Sequence, residues 1–223
     1  MEPRCWNGEE AMAAMDPGML TQALIPVLAL RDEHDLRLLE HLVGTSGLQM
    51  VELTARTPAA FDLGRTLMQR QPDVKVGMGT LLRKEQVEEA AASGFAFGVT
   101  PGTTGRLLDA IRATSMPVLP GVSTASEAMA AMEAGHEVVK AFPAGGLGLS
   151  TVRAWFGPLP HLRVCATGGL VEADAASWLD LPNVVAVGGG WMFRAHVVDA
   201  ARSGDANALA SLEAAFLRCA RSA

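Results

Sequence analysis

Residues 117–144 read PVLPGVSTASEAMAAMEAGHEVVKAFPA. An apolar run over 117–123 gives way to Ser123-Thr124, and Glu127 follows three residues after Thr124. That spacing is a helix-start signal, in which the hydroxyl and the carboxylate each take a backbone N–H that would otherwise go unpaired. A helix is expected over 124–134, with Gly135 where it should stop, and a second apolar strand over 137–144.

The same strand–helix unit recurs in both directions along the chain. Strands are expected over 23–30, 48–55, 74–80, 96–102, 117–123, 137–144, 162–169 and 183–190. Their starts are about 20 to 26 residues apart, which is the room for a strand, a loop and a helix. Helical apolar spacing runs over 35–43 (Leu36, Leu39, Leu42, Val43), 84–92 and 105–113, the last behind Thr103-Thr104. Gly44 and Gly94 are the expected stops of the first two. Eight βα units in one chain point to the α/β class and a (β/α)8 TIM barrel, a single domain over 1–223. Alternation alone does not prove closure, so a doubly wound open sheet is the other architecture. An extra N-terminal helix over 9–20 is expected to plug the barrel's lower end, and 206–219 to pack as the last outer helix.

The chain has 223 residues, a net charge of −6 and a mean hydropathy of +0.22. Such a composition excludes intrinsic disorder. No apolar stretch nears the roughly 18 residues of a membrane span, and the start MEPRCWNGEE lacks a basic n-region, so no membrane and a cytoplasmic location are expected. Cys5, Cys165 and Cys219 form no CxxC pair, which favours free thiols over a zinc module. His34, His41, His136, His161 and His196 show no ligand spacing, and no metal or other cofactor is expected. The acidic balance, without a basic run, argues against nucleic acid.

Of the 18 basic residues only Lys75, Lys84 and Lys140 are lysine. Lys84 sits beside Glu85 and Glu88 on a charged helix face, and Lys75 follows Asp73 at a strand start. Lys140 alone lies at the end of a strand where a barrel keeps its function. In Glu137-Val138-Val139-Lys140-Ala141-Phe142-Pro143 it shares a face with Val138 and Phe142. A free lysine is less than about 0.1% neutral at pH 7, so a nucleophilic amine needs a special environment, and an apolar barrel interior supplies one. On the second strand, Met50, Glu52, Thr54 and Arg56 share the opposite face from Val51, Leu53 and Ala55. Glu52 and Arg56 either satisfy each other at the rim or serve as a proton-transfer carboxylate and an anion-binding guanidinium. Both strands are even-numbered, so Glu52 and Lys140 can fill one layer of the interior. Strand ends rich in Gly and Thr, notably Thr167-Gly168-Gly169 and Gly188-Gly189-Gly190, fall where barrels commonly bind phosphate.

Several segments together resemble the 2-keto-3-deoxy-6-phosphogluconate (KDPG) and 4-hydroxy-2-oxoglutarate (KHG) aldolase family. They are Val51-Glu52-Leu53-Thr54-Ala55-Arg56-Thr57, Gly77-Met78-Gly79-Thr80, Thr100-Pro101-Gly102, Leu119-Pro120-Gly121-Val122-Ser123-Thr124, Val139-Lys140-Ala141-Phe142-Pro143-Ala144 and Ala166-Thr167-Gly168-Gly169. The resemblance implies a homotrimeric, metal-free class I aldolase of Entner–Doudoroff carbohydrate metabolism, cleaving a 2-keto-4-hydroxy acid to pyruvate and an aldehyde. It implies that Lys140 forms the Schiff base and Glu52 moves the protons. Arg56 and Thr80 would hold the pyruvyl carboxylate, while Phe142 and Pro101 line the pocket. Thr167 would meet a substrate hydroxyl, and Gly168, Gly169, Gly189 and Gly190 would face the distal phosphate.

Two departures fall on that distal half. Gly190 stands where the family commonly has Ser, and Ala144-Gly145-Gly146-Leu147-Gly148 is short and apolar. They bring an unphosphorylated acid such as 4-hydroxy-2-oxoglutarate into contention. A phosphosugar isomerase or epimerase with Glu52 as base, and a non-catalytic ligand-binding barrel, are the rival readings. The first predicts phosphate affinity without an imine, the second no turnover of 2-keto acids.

Overall fold

In the computed structural model, which describes residues 15, 17–20 and 22–222, the recurring apolar runs form parallel strands. They are β1 (Leu24–Leu28), β2 (Met50–Thr54), β3 (Lys75–Gly79), β4 (Phe97–Val99), β5, β6 (Val138–Ala141), β7 (Arg163–Thr167) and β8 (Val184–Gly189). β5 comes in two pieces, Val118–Leu119 and Gly121–Val122, either side of Pro120. Proline has no N–H to give a ladder. The first piece pairs with β4, Val99 opposite Leu119, and the second with β6, Gly121 opposite Lys140. β1 pairs with both β2 and β8. Every strand thus has two neighbours, and the sheet closes through the split fifth strand into a (β/α)8 barrel. An open doubly wound sheet would leave two edges and is excluded.

Ten helices surround the strands: α1 (Glu33–Ser46), α2 (Ala60–Arg70), α3 (Lys84–Ala92), α4 (Gly105–Arg112), α5 (Ala125–Glu133), α6 (Ala144–Leu147), α7 (Leu149–Trp155), α8 (Ala175–Leu179), α9 (Ala195–Arg202) and α10 (Ala206–Ala220) among the described residues. α5 begins with the full reciprocal cap between Thr124 and Glu127, and Thr104 caps α4 by accepting from the Leu107 N–H. Gly94 and Gly135 follow their helices with φ of 80° and 90°. Gly44 does not end α1, which continues to Ser46 and stops at Gly47, φ 71°. Thr45 and Ser46 return their hydroxyls to carbonyls at His41 and Leu42, extending the last turn until a residue free to adopt the left-handed conformation arrives. No helix among the described residues is long and apolar enough to cross a membrane.

Period-2 alternation sorts the core into two shells. Ile25, Met50, Phe97, Leu119, Val138, Cys165 and Ala186 fill the barrel, while Val51 and Leu53 on one side, and Val139 and Ala141 on the other, face the helices. Met15, 1% exposed, joins the interior cluster ahead of a 3-10 turn at Pro17–Met19. Burying such a side chain is worth about 1.5–3 kcal/mol. The rest of the helix expected over 9–20 lies outside the described residues apart from that turn, as does Cys5.

Candidate active site

Polar side chains gather at the C-terminal mouth of the barrel. β2 and β6 are opposite strands of an eight-stranded ring, and their inward faces meet across its centre. Lys140 Nζ lies 3.4 Å from Glu52 Oε1, with the two side chains only 6% and 5% exposed. Glu52 therefore pairs with Lys140 and not with Arg56. A buried ion pair repays its desolvation poorly and is weak evidence for stability. A pair of titratable groups held this way at the mouth of a barrel is better read as a site. Phe142, two residues on and on the same face, places its ring 5.3 Å from the Lys140 Nζ.

Glycines make room for these groups. A Cβ on Gly79, in β3 beside Glu52, would fall on the Glu52 carboxylate. One on Gly168 would come within 2.6 Å of the Phe142 ring, and Gly168 also has φ 94°. Gly188, opposite Thr167 in the β7–β8 register, leaves space for the Thr167 hydroxyl, which a Cβ would approach to 2.6 Å. Thr80 follows Gly79 in a left-handed conformation, φ 62°, a strained backbone of the kind that concentrates at functional sites.

A cleft of about 320 Å³ opens over the pair, lined by Lys140 and Phe142 from the β6 end, Thr167, Gly168 and Gly169 from the β7 end, and Arg56 from the turn after β2. Gly190, Trp191 and Arg194 complete it from the β8 side, with Val27 and Leu170. Other expected site residues stand around this cleft without lining it. Glu52 lies beneath, in contact with Lys140. Gly189 is buried under the Trp191 ring, which occupies the place of a side chain there. Thr80 ends β3. Pro101 lies two residues past the end of β4, its backbone packed against Gly121. Neither Trp191, in the 3-10 turn Gly190–Phe193 after β8, nor Arg194, the extended residue that follows it, is legible in the sequence, because no strand period gives a direction there.

Beside the mouth, Asp35 is fully buried. Its burial would raise its pKa, but Arg31 chelates both oxygens at 2.7 and 2.9 Å and Arg202 adds a bond of 2.8 Å, which together hold the carboxyl below its ordinary value. This network ties α1 to α9 and fixes the rim. Cys165 lies below Lys140 in the interior, 3.7 Å from the Thr167 hydroxyl, and burial pushes its thiol up to about 11. It stays a protonated, inert thiol.

Barrel and buried amine–carboxylate pair define an enzyme whose chemistry centres on a lysine. Residues 15–210 match the family model of KDPG and KHG aldolase, and the chain belongs to that family. It is 36% identical over 194 residues to a 2-dehydro-3-deoxy-phosphogluconate aldolase of Pseudomonas aeruginosa, covering 86% of this chain and 88% of the relative. It is 34% identical to the KHG/KDPG aldolase of Escherichia coli, covering 87% and 90%. Among solved structures, the KDPG aldolase of Legionella pneumophila, with pyruvate captured at low pH as a covalent carbinolamine, superposes with a TM-score of 0.84 at 28% identity. That likeness covers 92% of this chain and 98% of the other.

Proposed function

We propose that residues 1–223 act as one class I aldolase domain that reversibly cleaves KDPG or a related 2-keto-4-hydroxy acid to pyruvate and an aldehyde. The observation that carries this reading is the buried Lys140 amine, 3.4 Å from Glu52 Oε1 at the floor of the cleft. The amine attacks the C2 carbonyl carbon, and Glu52 passes its proton to the carbonyl oxygen, giving a carbinolamine. A proton taken up from solvent and delivered by Glu52 lets the hydroxyl leave as water, and a protonated imine remains on Lys140. Glu52 then takes the proton of the C4 hydroxyl, the C3–C4 bond breaks, and its electron pair moves into the imine as an enamine. The aldehyde departs, C3 regains a proton from Glu52, and water releases pyruvate and the free amine. Arg56 and Thr80 hold the C1 carboxylate, Phe142 and Pro101 shape the pocket around the imine, and Thr167 meets a substrate hydroxyl. Gly168, Gly169, Gly189 and Gly190 form the backbone wall of the distal half.

A homotrimer is what the family motifs imply. A cytoplasmic location suits Cys165 and Cys219, both buried free thiols that a reducing compartment preserves. A coupled assay of pyruvate release tests the activity, with KDPG, its galactonate epimer and 4-hydroxy-2-oxoglutarate side by side. Pyruvate should appear with at least one of the three. Folded protein that releases none from any of them refutes the reading.

A further inference from the structure

The cleft over Lys140 contains two guanidiniums, Arg56 and Arg194. Both are exposed, and neither makes an ion pair or side-chain hydrogen bond among the described residues. The contrast with their neighbours is plain: Arg31 is neutralised by Asp35 and Asp199, and Arg202 by Asp32 and Asp35. Arg56 and Arg194 also share a second cleft of about 300 Å³, in which the only carboxylate, Asp35, is already held by arginines. Two unpaired cations facing one small space repel each other until an anion enters. In a protein of net charge −6, they are the local means of attracting one. Two such groups call for a ligand with two anionic ends.

The barrel assigns the ends. The reacting carbon must lie between Lys140 on β6 and Glu52 on β2, and the C1 carboxylate is one bond from it. Arg56 stands in the turn after β2, four residues beyond Glu52 and further toward the mouth. From Lys140 the cleft runs over the ends of β7 and β8, past Gly168, Gly169 and Gly190, to Arg194. None of those three glycines carries a side chain that could hold an anion, so Arg194 supplies the charged contact on that path.

We propose that Arg194 is a specificity-determining residue, whose guanidinium holds the distal anionic group of the 2-keto acid. This rests on the aldolase reading and deepens it: it names the side chain that reads the phosphate ester or carboxylate at the end of the substrate remote from C1. A planar guanidinium suits either, since it can offer two parallel N–H donors.

The test compares kcat/KM of the wild type, Arg194→Ala and Arg194→Lys on three acids: KDPG, 4-hydroxy-2-oxoglutarate and the neutral-tailed 2-keto-3-deoxygluconate. The readout is the preference for an anionic over the neutral tail. Arg194→Ala should lower that preference about 10- to 100-fold, mainly through KM, as expected for loss of a hydrogen bond to a charged group. Arg194→Lys should restore part of it by charge alone. A larger loss on KDPG assigns the contact to phosphate, and a larger loss on 4-hydroxy-2-oxoglutarate assigns it to carboxylate. A smaller change in preference overturns the proposal, including the case where all three substrates suffer alike, which is what a structural role gives. Trapping of pyruvate on wild-type Lys140 by borohydride separates the two failures. An adduct with unchanged preference sinks only the Arg194 assignment, whereas no adduct sinks the aldolase reading and this one with it.

Discussion

The Lys140 amine and the Glu52 carboxylate, from opposite strands of the barrel, meet 3.4 Å apart with almost no access to water. No other described lysine is placed this way: Lys84 pairs with Glu88 on the surface, and Lys75 opens β3 at the far end. The spacing lets one carboxylate serve both the attacking nitrogen and the substrate oxygens beside it. In the proposed mechanism, catalysis depends on the charge of Glu52, on its position, and on the amine itself.

Removing the charge alone is the mildest test. Glu52→Gln keeps the shape and a hydrogen-bonding group but cannot take a proton. It should slow pyruvate release by about 10²- to 10⁴-fold, the usual worth of a positioned acid–base group, while pyruvate binding largely persists. The coupled assay and equilibrium binding of pyruvate measure the two. A variant with near wild-type kcat would remove Glu52 from the mechanism.

Position is tested from the neighbouring strand. Gly79→Ala adds a methyl group where the Glu52 carboxylate now sits, and Gly79 lies at the end of a strand with ordinary backbone dihedrals. The protein should fold, with the carboxylate pushed aside, and lose about 10²-fold in kcat, which a misplacement near 1 Å can cost. Steady-state kinetics with a circular dichroism control would show it. Unchanged turnover would mean that the site tolerates a displaced carboxylate.

Stability carries a separate pH signature. His136 is 1% exposed, and neither ring nitrogen finds a partner. Burial, with repulsion from Arg112, pushes its pKa from 6.5 down to about 4. Between those values the unfolded chain binds a proton that the folded chain refuses. Stability is therefore lost as pH falls from about 6.5 to about 4, by roughly 3 kcal/mol in all, with nothing further lost below. Urea unfolding at pH 7 and pH 4.5 should show a smaller pH-dependent loss for His136→Leu than for the wild type. Equal losses would contradict the assignment.

Much of the site was legible in the sequence because a strand's period is simple. Alternation alone put Glu52 inward with Met50, and Lys140 inward with Val138, and both even-numbered strands shared a layer. It could not say whether Glu52 would turn to Arg56 or to Lys140, since that depends on the distance across a closed ring. Nor could it show how the ring closes, because Pro120 splits β5 between two neighbours. Gly44 looked like a helix stop, yet its dihedrals are decided by the hydroxyls of Thr45 and Ser46 and by Gly47 beyond them. Trp191 lies in a 3-10 turn and Arg194 directly after it, where residue type indicates no facing. Local periodicity found Lys140 and Glu52, and only tertiary structure brings Trp191 and Arg194 to the cleft above them.

The most direct test of the account is covalent trapping on Lys140. The wild type is incubated with saturating pyruvate, reduced with borohydride, digested and analysed by peptide mass spectrometry, with Lys140→Met as control. The peptide containing Lys140 should carry an N-linked carboxyethyl group, with no such group on the Lys75 or Lys84 peptides and none on the variant, which should also be inactive. Folded wild-type protein with an unmodified Lys140, or with the adduct on another lysine, would contradict the assignment of Lys140 as the Schiff-base nucleophile.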